Sequence, residues 1–168
     1  MTEPENHAAN PAADPAADTD DLLSVHLSRV LPAAPERIYA AWTTGEMKDW
    51  WGPDGFEGVA AEADPRPGGA FFVEMRDPDG TVHRMAGVYT ELDPPSLVCM
   101  EIRHRQFEGA ADRPEGYLPT QLRIELKPHP DGTELVLTHT GFLDAAMPVR
   151  FNAGWTGSLD RLERILRA

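Results

Sequence analysis

"VRFNAGWTGSLDRLERILRA", residues 149–168, sets Phe151, Trp155, Leu159, Leu162 and then Ile165 or Leu166 three or four positions apart. That spacing gathers apolar side chains on one face of an α-helix. Asp160, Arg161, Glu163 and Arg164 fall between them, so the stretch reads as an amphipathic C-terminal helix with a broad face to bury. Gly154 and Gly157 weaken that helix by about 1 kcal/mol each relative to alanine. A cost of this kind points to a packing reason, either room for a cavity or a segment crossing beside the helix.

The chain ahead of this helix supplies its cover. "FEGVAAEADP", "GAFFVEMRDPDG", "TVHRMAGVYTELDPP", "SLVCMEIRHRQF", "YLPTQLRIELKPHPDG" and "TELVLTHTGF" read as six strands. They are separated by Pro-Gly-Gly, Asp-Pro-Asp-Gly, Asp-Pro-Pro and Pro-Asp-Gly turn signals. The turns at 77–80 and 130–132 are the strongest hairpin signals, because Asp and Gly accept the positive φ that tight turns demand. The stretch "EGAADRPEG", residues 108–116, reads as a mobile loop. An earlier strand, "LLSVHLSRVL" (22–31), alternates imperfectly and precedes "APERIYAAWTT". There Pro35 takes a favoured first helical position and Ile38, Ala41 and Trp42 share one face. A further helical turn or two in "GEMKDWW" stops at Gly52-Pro53. One strand, two short helices, six strands and a long helix make an α+β order in which the sheet is antiparallel throughout. A curved sheet wrapped around the last helix buries both apolar faces together.

With 168 residues, the chain is long enough for one domain with a real core. Its net charge of −13 argues against nucleic-acid surfaces and anionic membranes, which call for clustered Lys and Arg. Residues 1–21 carry six acidic residues, no Lys or Arg, and repeated Pro and Ala. Such a segment offers too little apolar surface to order itself and reads as a disordered acidic tail, leaving 22–168 as the folded domain. Cys99 is alone, so no internal disulfide forms, and neither a secretory leader nor a membrane span is visible. The expected location is the cytoplasm.

"RVLPAAPERIYAAWTTGEMKDWWGP", "PRPGGAFFVEMRDPDG", "GVYTELDPPSLV", "THTGF" and "GWTGSLDRLERIL", in this order and spacing, resemble the activator of 90-kDa heat-shock-protein ATPase homologue family. That family lies within the START-like, or SRPBCC, superfamily of helix-grip, birch-pollen-allergen-like folds. The resemblance runs from about residue 22 to 166 and leaves out only the tail. It implies a sheet of about seven strands gripping the C-terminal helix, two short helices between the first two strands, and a cavity between sheet and helix that holds apolar molecules.

Strand parity and helical spacing nominate the wall of such a cavity. From the middle strands come Phe71, Val73, Met75, Met85, Met100 and Ile102; from the later strands Leu122, Ile124 and Leu137; from the helix Phe151, Trp155 and Leu159. Adjacent helical residues point about 100° apart, so Trp50 and Trp51 cannot share one buried stripe. Trp50 is expected to pack inward and Trp51, with Phe56 near it, to stand at the cavity rim, although an aromatic beside Gly-Pro also serves simply to close a helix end. His104 shares parity with Met100 and Ile102, and His139 follows Leu135 and Leu137, so both are expected to point inward as polar contacts for a ligand. Glu74, Glu101, Glu125 and Glu134 fall on the opposite, outer faces.

No nucleophile elbow, phosphate loop or dinucleotide fingerprint occurs, and no metal-ligand spacing accompanies the histidines. No catalytic residue, metal or cofactor is therefore assigned. The expected function is binding of a small hydrophobic or aromatic molecule. The alternatives are a polyketide aromatase/cyclase-like or hydrolase-like enzyme in the same cavity and, last, a chaperone ATPase cofactor with a protein partner that the sequence does not identify.

Overall fold

Alternation of apolar and polar side chains gives each strand one inward face, and short turns bring consecutive strands side by side. The structure, a computed structural model, describes residues 23–107, 119–142 and 145–168, with the side chains of 104–107 excepted. The acidic tail and the 108–116 connection lie outside the described residues. The strands are β1 (Val25–Leu31), β2 (Glu57–Ala63), β3 (Ala70–Arg76), β4 (Val82–Asp93), β5 (Leu97–Phe107), β6 (Thr120–His129) and β7 (Gly132–Thr140). The helices are α1 (Pro35–Trp42), α2 (Met47–Trp50) and α3 (Ala146–Arg167). The described strands form one antiparallel sheet in the order β1-β7-β6-β5-β4-β3-β2. The two edge strands are thus joined by α1 and α2, and the sheet curls as a half-barrel around α3, the architecture expected from the order of elements.

Along β7 the alternate residues Thr133, Leu135, Leu137 and His139 are buried, and along β6 Leu122, Ile124 and Leu126 are buried. The five leucine and isoleucine side chains join one core with Trp155, Leu159 and Leu162 of α3, and the Thr133 hydroxyl donates to the Ala33 carbonyl ahead of α1. The outer face carries the carboxylates. Glu74 pairs with Arg84, Glu101 with Arg103 and Gln121, and Glu125 with Arg123, while Glu134 accepts from Ser28. The turn at 77–80 is closed by its own aspartate: the Asp77 carboxylate accepts the amides of Asp79 and Thr81 at 2.9 and 3.0 Å. Among the described residues no helix is long and apolar enough to cross a membrane.

The β4–β5 ladder is irregular. Ala86 pairs with His104 and Gly87 with Ile102, so a bulge intervenes between Ile102 and His104. A bulge breaks the strict two-residue alternation, so the parity that set His104 with Ile102 does not carry across it. The His104 side chain lies outside the described residues.

Candidate functional site

The adjacent tryptophans are both buried, and the reason lies in where α2 ends. Trp50 is its last residue, while Trp51 has extended backbone (φ −71, ψ 129) and gives its amide to the Met47 carbonyl. The 100° rule stops with the helix, so Trp51 turns toward α3 instead of following the helical face. Trp50 donates its indole N–H to the Ala41 carbonyl, and Tyr89 donates to the Trp42 carbonyl, so the end of α1 is satisfied by side chains from two directions. Trp51 is only 3% exposed, the same as Trp155. It is therefore a buried wall rather than the half-solvated rim that the turn suggested.

All four tryptophans of the chain meet. Trp42 lies 4.6 Å from Trp50, 5.8 Å from Trp51 and 5.8 Å from Trp155 between ring centroids, and Trp51 is 5.0 Å from Trp155 in an edge-to-face contact. Offset and edge-on pairs of this kind contribute about 0.5–1.5 kcal/mol beyond their buried area. Behind them His139 is fully buried. Trp155 Nε1–H donates to its Nδ1 at 3.1 Å, which leaves Nε2 to carry the hydrogen shared with Thr120 Oγ1 at 2.9 Å. Phe142 and Phe151 pack on the same imidazole. His139 thus holds Trp155 in place from behind.

The turn after α2 is pinned to α3. Ser158 Oγ accepts the Gly52 amide and donates to the Gly154 carbonyl, both at 2.9 Å. The Arg161 guanidinium donates to the carbonyls of Gly52 (3.2 Å) and Asp49 (3.3 Å), and Arg164 pairs with Asp54 at 3.2 Å. Gly52 has φ +114, and a Cβ there stands 2.9 Å from the Met75 sulfur, so only glycine fits.

The two helix glycines have separate explanations. A Cβ on Gly157 comes within 3.2 Å of the Pro53 Cα and the Asp54 amide, so this glycine admits the crossing turn. A Cβ on Gly154 meets nothing within 4 Å, and Gly154 borders a cavity. Gly154→Ala is accordingly expected to raise stability by about 1 kcal/mol through helix propensity. Gly157→Ala is expected to gain less or to lose, since the turn must retreat. Thermal or urea unfolding of the two variants side by side checks this, and equal gains would remove the distinction.

The cavity has a volume of about 140 Å³. Trp51, Phe56, Met75, Met85, Phe151 and Trp155 form its apolar wall, and Gly52, Pro53, Gly154, Ser158, His83 and Arg150 complete it. The structure thus gathers six of the nominated residues at one opening. Phe71, Val73, Met100, Ile102, Leu122, Ile124, Leu137 and Leu159 are buried in the continuous core, and His139 lies beyond Trp155. Two larger depressions, of about 500 and 370 Å³, lie on the outer face of the sheet among salt-bridged side chains such as Arg84, Arg103 and Arg123.

His83, with His104 and His139, is one of three histidines that the sequence sets on strands as acid/base candidates, but neither it nor Arg150 is placed at the cavity by sequence alone. His83 shares strand parity with Met85 and Tyr89, and Arg150, Gly154 and Ser158 stand at four-residue intervals on α3, signals that would have found both. His83 Nε2 lies 2.9 Å from Asp77 Oδ2 and its ring 5.4 Å from that of Phe56. The hydrogen bond from His83, with those from the Thr81 and Asp79 amides, holds the Asp77 carboxyl below the usual carboxylate range. Among the described residues no three His, Cys, Asp or Glu side chains converge as a metal site does.

The family model described as "Activator of Hsp90 ATPase homolog 1-like protein" matches residues 32–167. The chain belongs to this family. A protein from Chromobacterium violaceum shares 30% identity over 87% of this chain and 98% of its own, with a TM-score of 0.73. An AHSA1 protein from Silicibacter pomeroyi shares 27% over 86% and 97%, with a TM-score of 0.72. A Nitrosomonas europaea protein at 22% identity, covering 88% of this chain and 96% of its own with a TM-score of 0.73, repeats the fold. No curated protein matches the chain. The stapled Trp-Trp-Gly-Pro turn and the gripped helix of this AHSA1-like chain fall wholly within the matched span.

Proposed function

We propose that the chain binds a small hydrophobic or aromatic molecule in the cavity between the sheet and α3. The observation that carries this reading is Gly154. At a helix position where alanine fits without contact and stabilises by about 1 kcal/mol, the side chain is missing where the cavity lies. A volume of about 140 Å³ is close to the roughly 150 Å³ of an engineered apolar cavity that accepts benzene. The occupant is therefore a single ring or its aliphatic equivalent. Folding a polyketide chain needs several times that space.

A second reading has one observation in its favour. His83, oriented by Asp77 at the cavity wall, is placed as a general base is, so a hydrolase-like reaction on a small aryl ester is the alternative; its sign is turnover with a pH optimum that His83→Ala abolishes. For activation of a chaperone ATPase, the activity in the family's description, the exposed large apolar side chains among the described residues are Val30, Val59 and Val149, on separate elements. That scatter offers little support for a protein-docking face.

The binding reading predicts that toluene changes the tryptophan emission of the native chain saturably, because Trp51 and Trp155 line the cavity. Gly154→Leu fills the space and should abolish the change while leaving the fold intact by circular dichroism. Absence of a saturable response in the native chain, or its survival in Gly154→Leu, would sink the proposal.

A further inference from the structure

Three polar side chains border the cavity, and they are not equally committed. The Ser158 hydroxyl is spent on the Gly52 amide and the Gly154 carbonyl, and His83 is engaged with Asp77. Arg150 lies exposed at the opening, and among the described residues its guanidinium has no carboxylate or carbonyl partner. Every other arginine whose side chain is described does. Nine of them pair with carboxylates, and Arg161 is taken up by the backbone of Asp49 and Gly52. In a chain with 28 acidic residues against 15 basic ones, acidic partners are plentiful, yet among the described residues none pairs with the guanidinium beside the aromatic wall.

We infer that the cavity takes a monocyclic carboxylate, with its ring among Trp51, Phe56, Phe151 and Trp155 and its carboxylate on Arg150 at the mouth. The inference rests on the binding reading above and adds the ligand's charge and head group. The volume admits one ring and little more, so a charged substituent has to remain at the opening, where Arg150 stands. A guanidinium offers a planar pair of N–H donors that matches a carboxylate in bidentate fashion and carries its charge at any working pH. Asp77, the carboxylate paired with His83 at the cavity wall, already accepts from His83, Asp79 and Thr81, which tempers its repulsion of a second anion.

The probes are benzoate, toluene and benzylamine, similar in ring and different in charge, titrated by tryptophan emission at neutral pH. Benzoate is expected to bind about tenfold more tightly than toluene, the gain from one partly exposed charge-assisted contact, and benzylamine more weakly than either. Arg150→Gln should reduce the benzoate-to-toluene affinity ratio about tenfold, and Arg150→Lys should restore part of it. Equal affinity for benzoate and toluene in the native chain, or a ratio untouched by Arg150→Gln, overturns the inference while the binding reading stands. Phenyl phosphate binding more tightly than benzoate overturns the carboxylate assignment. If none of the probes binds, the cavity reading fails and takes the inference with it.

Discussion

Trp155→Ala is expected to cost about 3–5 kcal/mol of folding stability, the usual range for truncating a buried aromatic. The position joins three parts of the molecule. Its ring meets Trp42 and Trp51, which come from the α1–α2 excursion, while its indole N–H holds His139 on β7. Removing it opens a cavity that rigid neighbours refill only in part and leaves a buried imidazole nitrogen without its donor. Trp155→Phe separates the two effects. It keeps a ring in the cluster but removes the Trp155 donor to His139 Nδ1, and should cost about 1–3 kcal/mol for the lost hydrogen bond together with a small packing loss. Urea denaturation reads both values. A Trp155→Ala protein within 1 kcal/mol of the native chain would show that α3 is not gripped through this side chain.

Trp51→Ala is expected to be comparably severe, also about 3–5 kcal/mol. From sequence alone a smaller loss is expected, because a rim aromatic keeps part of its surface in water. The structure leaves Trp51 only 3% exposed and packs it on Trp42, Trp50, Phe71 and Trp155. Its removal also enlarges the cavity, so the variant that loses stability should accept a larger ring than toluene, such as naphthalene. Because Trp51 and Trp155 are in direct contact, the double substitution should cost less than the two single losses added together. A Trp51→Ala protein that melts with the native chain would restore the rim position; full additivity would show that the two rings do not share one cluster.

The element order was legible without coordinates, because each element carries its own local signal. Two-residue alternation in "TELVLTHT" marks a strand, three- and four-residue spacing from Phe151 to Leu162 marks a helix, and Asp77–Gly80 and Asp131–Gly132 mark turns that bring neighbours side by side. Inward placement of Leu122, Ile124, Leu137, Trp155 and Leu159 followed from the same periods. The reading of His104 rests on parity counted along one strand, and the bulge in the β4–β5 ladder is a matter of pairing between strands that such a count does not see.

By itself, then, the sequence determined an α+β chain with a sheet hairpin-connected throughout, an apolar C-terminal helix against its inner face, and two weak points in that helix at Gly154 and Gly157. Only the tertiary structure decided what the weak points are for. Gly157 lets the Pro53–Asp54 turn approach closely, and Gly154 borders empty space; both are the same residue at nearly the same place in a helix, and nothing in the local sequence tells them apart. Whether apolar side chains form a filled core or a hollow one depends on the separation of sheet and helix, which is set at a distance by the contacts of Ser158, Arg161 and Arg164 with the turn after α2. The same contacts bring His83 from β4 and Arg150 from α3 to one opening. Sixty-seven positions separate them along the chain, and no period or motif relates them, because their proximity exists only once the sheet has closed on the helix.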